Sequence, residues 1–89
     1  MNNKAVAQIF KAMGNERRLL ILKHLFSKKE LTVGEISKLI ELSFKSVSRH
    51  LTVLSNANLV TVKQINLNRY YSLNFKNIKE FIPFLKNGN

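Results

Sequence analysis

The chain has 89 residues, of which 15 are Lys or Arg and 5 are Asp or Glu, giving a formal net charge of +10 at pH 7. This length predicts a single domain, and the absence of cysteine excludes disulfides and thiolate sites for metal or redox chemistry. No apolar run approaches the roughly 18 residues that span a membrane, and the N-terminus lacks the uninterrupted apolar stretch of a signal peptide. We therefore expect a cytoplasmic protein that does not enter a membrane.

The positive charge favours a polyanionic partner, most simply nucleic acid. No acidic residue lies between Glu41 and Glu80, and that stretch carries Lys45, Arg49, Lys63, Arg69, Lys76 and Lys79. An anionic membrane surface is the main competing partner. The simplest alternative is that the lysines only keep the protein soluble and bind no polyanion.

The N-terminal third predicts two helices. Apolar residues recur at helical spacing over about 3–13, and Gly14 ends this first helix. Asn15 is a suitable N-cap for the second helix, whose broad apolar face predicts a central position in the core. Residues 27–30 are predicted to form a loop.

Two further helices with a tight connection follow. Thr32 and Glu35 have the spacing of a capping box at the start of the third helix, whose predicted inner face carries Ile36, Leu39 and Ile40. Ser43 is a natural N-cap for the fourth helix. That helix directs Val47, Leu51 and Leu54 inward and shows Lys45, Ser48, Arg49 and Thr52 on its outer face.

In the C-terminal part of the chain, the apolar residues first alternate with a period of two, as in a strand, and then recur at helical spacing. Alternating β-rich segments on either side of an Asn-containing turn predict a hairpin over about 59–74. Asn77, with Glu80 three residues later, predicts the cap of a last helix over about 77–86, which Pro83 should end or kink. The fold class is mainly α with a small β-hairpin: a helix-turn-helix over about 32–56 followed by a wing, in the order α-α-α-α-β-β-α.

Four segments follow one another along the chain: IFKAMGNERRLLIL at 9–22, LTVGEI at 31–36, SFKSVSRHLTVL at 43–54 and YYSL at 70–73. In this order and at this spacing they resemble the ArsR/SmtB family of winged helix-turn-helix regulators. The resemblance implies a homodimeric repressor in which the first and last helices form the interface. The apolar residues of those helices are the interface candidates: Val6, Ile9, Phe10, Met13, Ile78, Phe81, Ile82 and Leu85.

The chain departs from the family in its metal-sensing residues. The family's cysteine pair would fall at Thr32-Val33-Gly34, which offers no thiolate or imidazole, and the last helix holds only Glu80. A stable metal site needs three or four suitable ligands, and His24 and His50 are too far apart in the pattern to supply them. We expect no metal and no cofactor.

The expected partner is double-stranded DNA, with the fourth helix in the major groove. The candidate contacts are Ser43, Phe44, Lys45, Ser46, Ser48, Arg49, His50 and Thr52 on that helix, and Lys63, Asn66, Asn68 and Arg69 in the wing. Two assignments stay open. Phe44 either packs on thymine methyl groups or tucks against Leu42 or the preceding helix, and His50 lies either near the DNA backbone or in a structural contact.

These features predict a sequence-specific DNA-binding regulator, a repressor that binds an inverted repeat as a homodimer. The alternative is a winged-helix module that binds protein or RNA without an operator. An enzyme is not expected, because the sequence offers no nucleophile–base pair, no Gly-rich phosphate loop and no metal cluster.

Overall fold

A computed structural model describes residues 2–86, which form helices around one core and a three-stranded sheet. The helices are α1 (Asn3–Met13), α2 (Glu16–Lys28), α3 (Val33–Ile40), α4 (Phe44–Asn56), α5 (Phe75–Ile78) and α6 (Ile82–Lys86), with a 3₁₀ turn at Lys79–Phe81 between the last two. The strands are β1 (Glu30–Thr32), β2 (Val60–Ile65) and β3 (Asn68–Leu73). This is the winged helix-turn-helix architecture that the sequence predicts.

The predicted starts of α2, α3 and α4 are confirmed by side-chain caps. The Asn15 carboxamide oxygen accepts from the Arg18 amide at 3.0 Å. Thr32 and Glu35 form the reciprocal capping box, with bonds of 3.2 and 2.8 Å. Each such cap stabilises its helix by about 1 kcal/mol, so the helix boundaries are set locally by the sequence.

The sheet contains a strand that the sequence did not predict. β3 lies in the middle, with β1 and β2 antiparallel on either side of it. The prediction of a loop at 27–30 was therefore wrong: α2 continues through Lys28, Lys29 makes the turn with a φ of 74°, and β1 begins at Glu30. A strand of 3 residues is too short to show an alternating pattern.

The C-terminal helix also begins differently from the prediction. α5 starts at Phe75, so Asn77 is not an N-cap; its carboxamide donates instead to the Asn58 carbonyl at 3.0 Å. The helical segment is broken by the 3₁₀ turn. This interruption lies just before Pro83, in agreement with the predicted end or kink, and Pro83 itself lies in the first turn of α6, where its missing N–H costs little.

The core lies between α2, α4 and the elements that cover them. Its fully buried side chains include Ile21, Leu22, Leu25, Ile36, Val47, Leu51, Leu54, Leu59 and Ile78. Leu39 departs from the prediction, because it is exposed while Ile36 and Ile40 carry the inner face of α3.

Candidate nucleic-acid interface

The turn between α3 and α4 fixes how α4 is presented. Glu41 adopts a left-handed conformation with a φ of 53°, and the Leu42 amide donates to the Ser37 carbonyl at 3.1 Å. The Ser37 hydroxyl donates to the Leu42 carbonyl, which closes the turn from the other side. Leu42 packs against the core, so the turn is held by both hydrogen bonds and apolar contact.

The outer face of α4 is cationic and uncompensated. Lys45 and Arg49 are exposed and Ser48 is half-buried, at the one-turn spacing that places all three on the side opposite Val47 and Leu51. Within residues 2–86, the side chains of Lys45 and Arg49 form no hydrogen bond or ion pair. The first turn of α4 carries no acidic residue, so its free amides and positive dipole end remain open to an anion.

Of the four hydroxyl groups predicted to contact DNA, those of Ser43, Ser46 and Thr52 have partners in the protein. Ser43 caps α4 by accepting from the Ser46 amide at 3.1 Å, and its hydroxyl donates to the Ser46 hydroxyl at 3.0 Å. Thr52 donates to the Ser48 carbonyl at 3.0 Å. The residues of this helix that keep uncommitted polar side chains are therefore chiefly Lys45, Ser48 and Arg49.

His50 makes a contact that the sequence left open. Its Nδ1 lies 3.4 Å from an Arg18 guanidinium nitrogen. The same guanidinium donates to the Ala12 carbonyl at 2.6 Å and to the Lys11 carbonyl at 3.3 Å, which ties the end of α1 to the middle of α4. Partial burial, followed by the positive charges of Arg18 and Arg17, lowers the pKa of His50 below its ordinary value of 6.5.

This lowered pKa predicts a pH-dependent stability. The unfolded chain takes up a proton on His50 more readily than the folded chain, so the free energy of unfolding should decrease as pH falls below about 6.5. We expect His50→Gln to flatten this decrease, measured by urea denaturation between about pH 7.5 and pH 5.5. Identical pH profiles for the two proteins would contradict the assignment.

The wing places its predicted contacts on different faces. Arg69 lies on the same face of β3 as Tyr71, which packs against the core, and it faces the start of α4. Lys63 lies on the opposite face, where its ammonium is 3.9 Å from the Glu30 carboxylate. Asn66 and Asn68 are exposed at the turn, and Asn66 has a φ of 58°.

Two apolar side chains stand out beside this basic surface. The Phe44 side chain is 61% exposed, and it lines a groove together with Val33 and Gly34 at the start of the preceding helix. Leu67, at the tip of the wing, is 95% exposed and was not among the predicted contacts. The sequence did hold a signal for Leu67, because an apolar residue within an otherwise Asn-rich turn is expected to be exposed.

The residues predicted to form the dimer interface fall into two groups according to their burial in the protomer. Ile9, Met13, Ile78 and Leu85 are buried within the protomer, so they belong to its own core and offer almost no surface to a partner. The placement of these four in a dimer interface therefore stays a prediction; in the protomer, α2 packs against α1 and α6. More accessible are Val6, Phe10, Phe81 and Ile82, with the Phe10 and Phe81 rings edge to face at 5.9 Å.

The fold and the basic helix together define a winged helix-turn-helix protein of the DNA-binding class. Residues 15–62 match the family model described as "Bacterial regulatory protein, arsR family". The chain belongs to the arsR family and is a DNA-binding transcription regulator.

Curated relatives and solved structures agree with this assignment. The chain is 38% identical over 84 residues to the transcriptional activator HlyU of Vibrio cholerae, covering 94% of this chain and 77% of HlyU. A solved structure of HlyU from V. cholerae superposes with a TM-score of 0.83 at 37% identity, covering 96% and 94% of the two chains.

Two more distant proteins extend the comparison. The arsenical resistance operon repressor of Bacillus subtilis is 33% identical over 67 residues, which covers 75% of this chain and 64% of the repressor. The homodimeric winged helix-turn-helix DNA-binding domain Mb0332 from Mycobacterium bovis superposes with a TM-score of 0.83 at 25% identity, covering 93% and 76% of the two chains.

The helices of residues 2–86 include none with the length and apolar character required to cross a bilayer. In the same part of the chain, no three His, Asp or Glu side chains are grouped as metal ligands would be.

Proposed function

We propose that this protein is a homodimeric repressor that reads an inverted repeat in double-stranded DNA through the outer face of α4. The observation that carries the proposal is the uncompensated pair Lys45 and Arg49, one turn apart on an exposed helix face. In this proposal Arg49 binds guanine O6 and N7, Lys45 binds a base or a phosphate, and Ser48 approaches a base edge.

The wing and the helix start supply positioning contacts in this proposal. Arg69 neutralises a phosphate or enters the minor groove, because it lies on the wing face turned towards α4. The hydroxyl hydrogens of Ser43 and Thr52 are donated within the protein, so these two residues contribute less. The Ser46 hydroxyl accepts from Ser43 and keeps its own hydrogen available for a phosphate. Lys63 contributes only if DNA competes with Glu30 for its ammonium group.

Dimerisation supports recognition of a repeat. An exposed apolar surface on α1 and on the C-terminal segment, centred on the Phe10–Phe81 ring pair, is suited to a two-fold contact. The homodimeric state of Mb0332 supports the same arrangement. Two α4 helices related by a two-fold axis would then reach successive major grooves about 34 Å apart.

Repression would follow most simply from steric occlusion of a promoter, and the B. subtilis relative is named a repressor. We infer that the protein acts in the cytoplasm by binding alone, without catalysis. DNA binding should also be independent of metal, because the chain lacks cysteine and would have to assemble a site from dispersed oxygen and imidazole ligands.

The salt dependence of DNA binding tests this function. Duplexes are first selected by the protein from a random library, and the binding constant of a selected duplex is measured by fluorescence anisotropy as salt is raised. Each neutralised phosphate contributes a log–log slope of about −0.9, so a dimer with several contacts should exceed a slope of about 3 in magnitude. Binding should persist in a chelator. A shallow slope, or no selected duplex, would contradict the proposal.

A further inference from the structure

The Phe44 ring lies at the first residue of the recognition helix, and the fold does not account for it. The ring is 61% exposed and lies outside the apolar core. A hydrophobic staple at this helix start would use the residue before the cap and the fourth helical residue, which here are Leu42 and Val47. Both of these belong to or pack against the core, so α4 does not require an aromatic residue at position 44.

The surroundings of Phe44 combine apolar surface with positive charge. The ring lines an open groove between the start of α3 and the tip of the wing, together with Val33, Gly34, Leu67 and Arg69. Lys45 follows directly on α4, and none of the residues that line this groove is acidic. A partner for this groove must therefore present an apolar group within a strongly anionic framework.

Thymine in duplex DNA has this chemistry. It is the base that presents a methyl group in the major groove, and it is attached to a chain of phosphates. Residues at the N-terminal end of a recognition helix are those that reach base edges. We propose that Phe44 is a specificity-determining residue that packs on the 5-methyl group of one thymine in each half-site. This inference rests on the proposed function, because it requires α4 to enter the major groove.

Replacement of thymine by uracil removes only this methyl group and keeps the hydrogen-bonding edge. Using a duplex selected by the wild-type protein, deoxyuridine is placed at one thymidine position at a time, and binding is measured by anisotropy. At one position in each half-site we expect uracil to weaken wild-type binding about fourfold, the equivalent of about 0.8 kcal/mol for one buried carbon group. Phe44→Ala should bind the thymine and uracil duplexes equally, and Phe44→Leu should retain part of the difference.

Phe75→Ala is the matched control. Phe75 is 54% exposed and follows the end of β3 that lies away from the wing tip, so this variant should keep the full thymine–uracil difference. The inference is overturned if uracil has no effect at any position, or if the effect survives in Phe44→Ala, while the wild-type protein still binds its selected duplex with the steep salt slope. Failure of the wild-type protein to select any duplex would instead contradict the proposed function. Circular dichroism of Phe44→Ala should show that this substitution at an exposed side chain leaves the fold intact.

Discussion

Arg49→Ala should weaken binding to the selected duplex by about 30-fold or more while leaving binding to unrelated DNA nearly unchanged. A bidentate contact between an arginine and guanine contributes about 1–3 kcal/mol of discrimination, and a dimer makes the contact twice. The Arg49 guanidinium is exposed on α4 and has no partner within residues 2–86, so its removal should not disturb the fold. Titrations of the selected duplex and of an unrelated duplex at the same salt concentration measure the ratio of specific to nonspecific binding.

Lys76→Ala provides the control for loss of charge. Lys76 is exposed on α5, outside the proposed interface, and removing it lowers the net charge by the same amount as Arg49→Ala. We expect it to leave the ratio of specific to nonspecific binding unchanged. If Arg49→Ala weakened both duplexes equally and reduced the salt slope by about 1 per protomer, Arg49 would be a phosphate contact and not a base contact.

The parts of the fold that the sequence predicts are those fixed by neighbouring residues. The caps at Asn15, Thr32 and Ser43 each join residues three apart, and the apolar periods of α2 and α4 each lie within a single helix of 13 residues. Such signals lie within one short window of sequence. The helix-turn-helix therefore follows from local patterns, and with it the outward face that carries Lys45 and Arg49.

The features that were missed depend on contacts between distant residues. β1 exists because Leu31 pairs with Tyr71, and the start of α5 is shifted because Asn74 and Asn77 both donate to the Asn58 carbonyl. The local pattern at Asn77 resembles a cap, but tertiary hydrogen bonding overrides it. Helical spacing alone could not have revealed these pairings.

The same distinction applies to the candidate site. An apolar residue on a helix can face its own core or a second subunit, and the periodic pattern is the same in both cases. Ile9 and Leu85 face the core, whereas Phe10 is exposed one residue further along α1. The link from Arg18 to His50 joins positions 32 residues apart, so no local motif reports it. Through Arg18, this link joins the end of α1, the proposed dimerisation helix, to the recognition helix α4. The proposed dimer surface and the proposed DNA-binding surface are therefore directly connected by hydrogen bonds.

Phe10→Asp should convert the proposed dimer into monomers and weaken binding to the selected duplex by at least about 100-fold. Phe10 is 61% exposed in the protomer, so the substitution should leave the isolated fold intact. In a dimer the carboxylate would be buried beside Phe81 without a partner, at a cost of several kcal/mol. A monomer carries a single α4 and loses the avidity of two linked half-sites, which is worth about 10²–10⁴ in affinity.

Sedimentation equilibrium measures the association state, and anisotropy measures binding to the full and half operators. Leu39→Asp is the matched control, because it places the same charge at an exposed apolar residue of α3, away from α1 and the C-terminal segment. We expect it to remain dimeric. Phe10→Asp should bind the full and half operators equally, because only one half-site can be engaged at a time. A Phe10→Asp protein that still sediments as a dimer would place the interface elsewhere on the surface. A monomeric wild-type protein that binds its operator tightly would show that recognition does not require two subunits in advance.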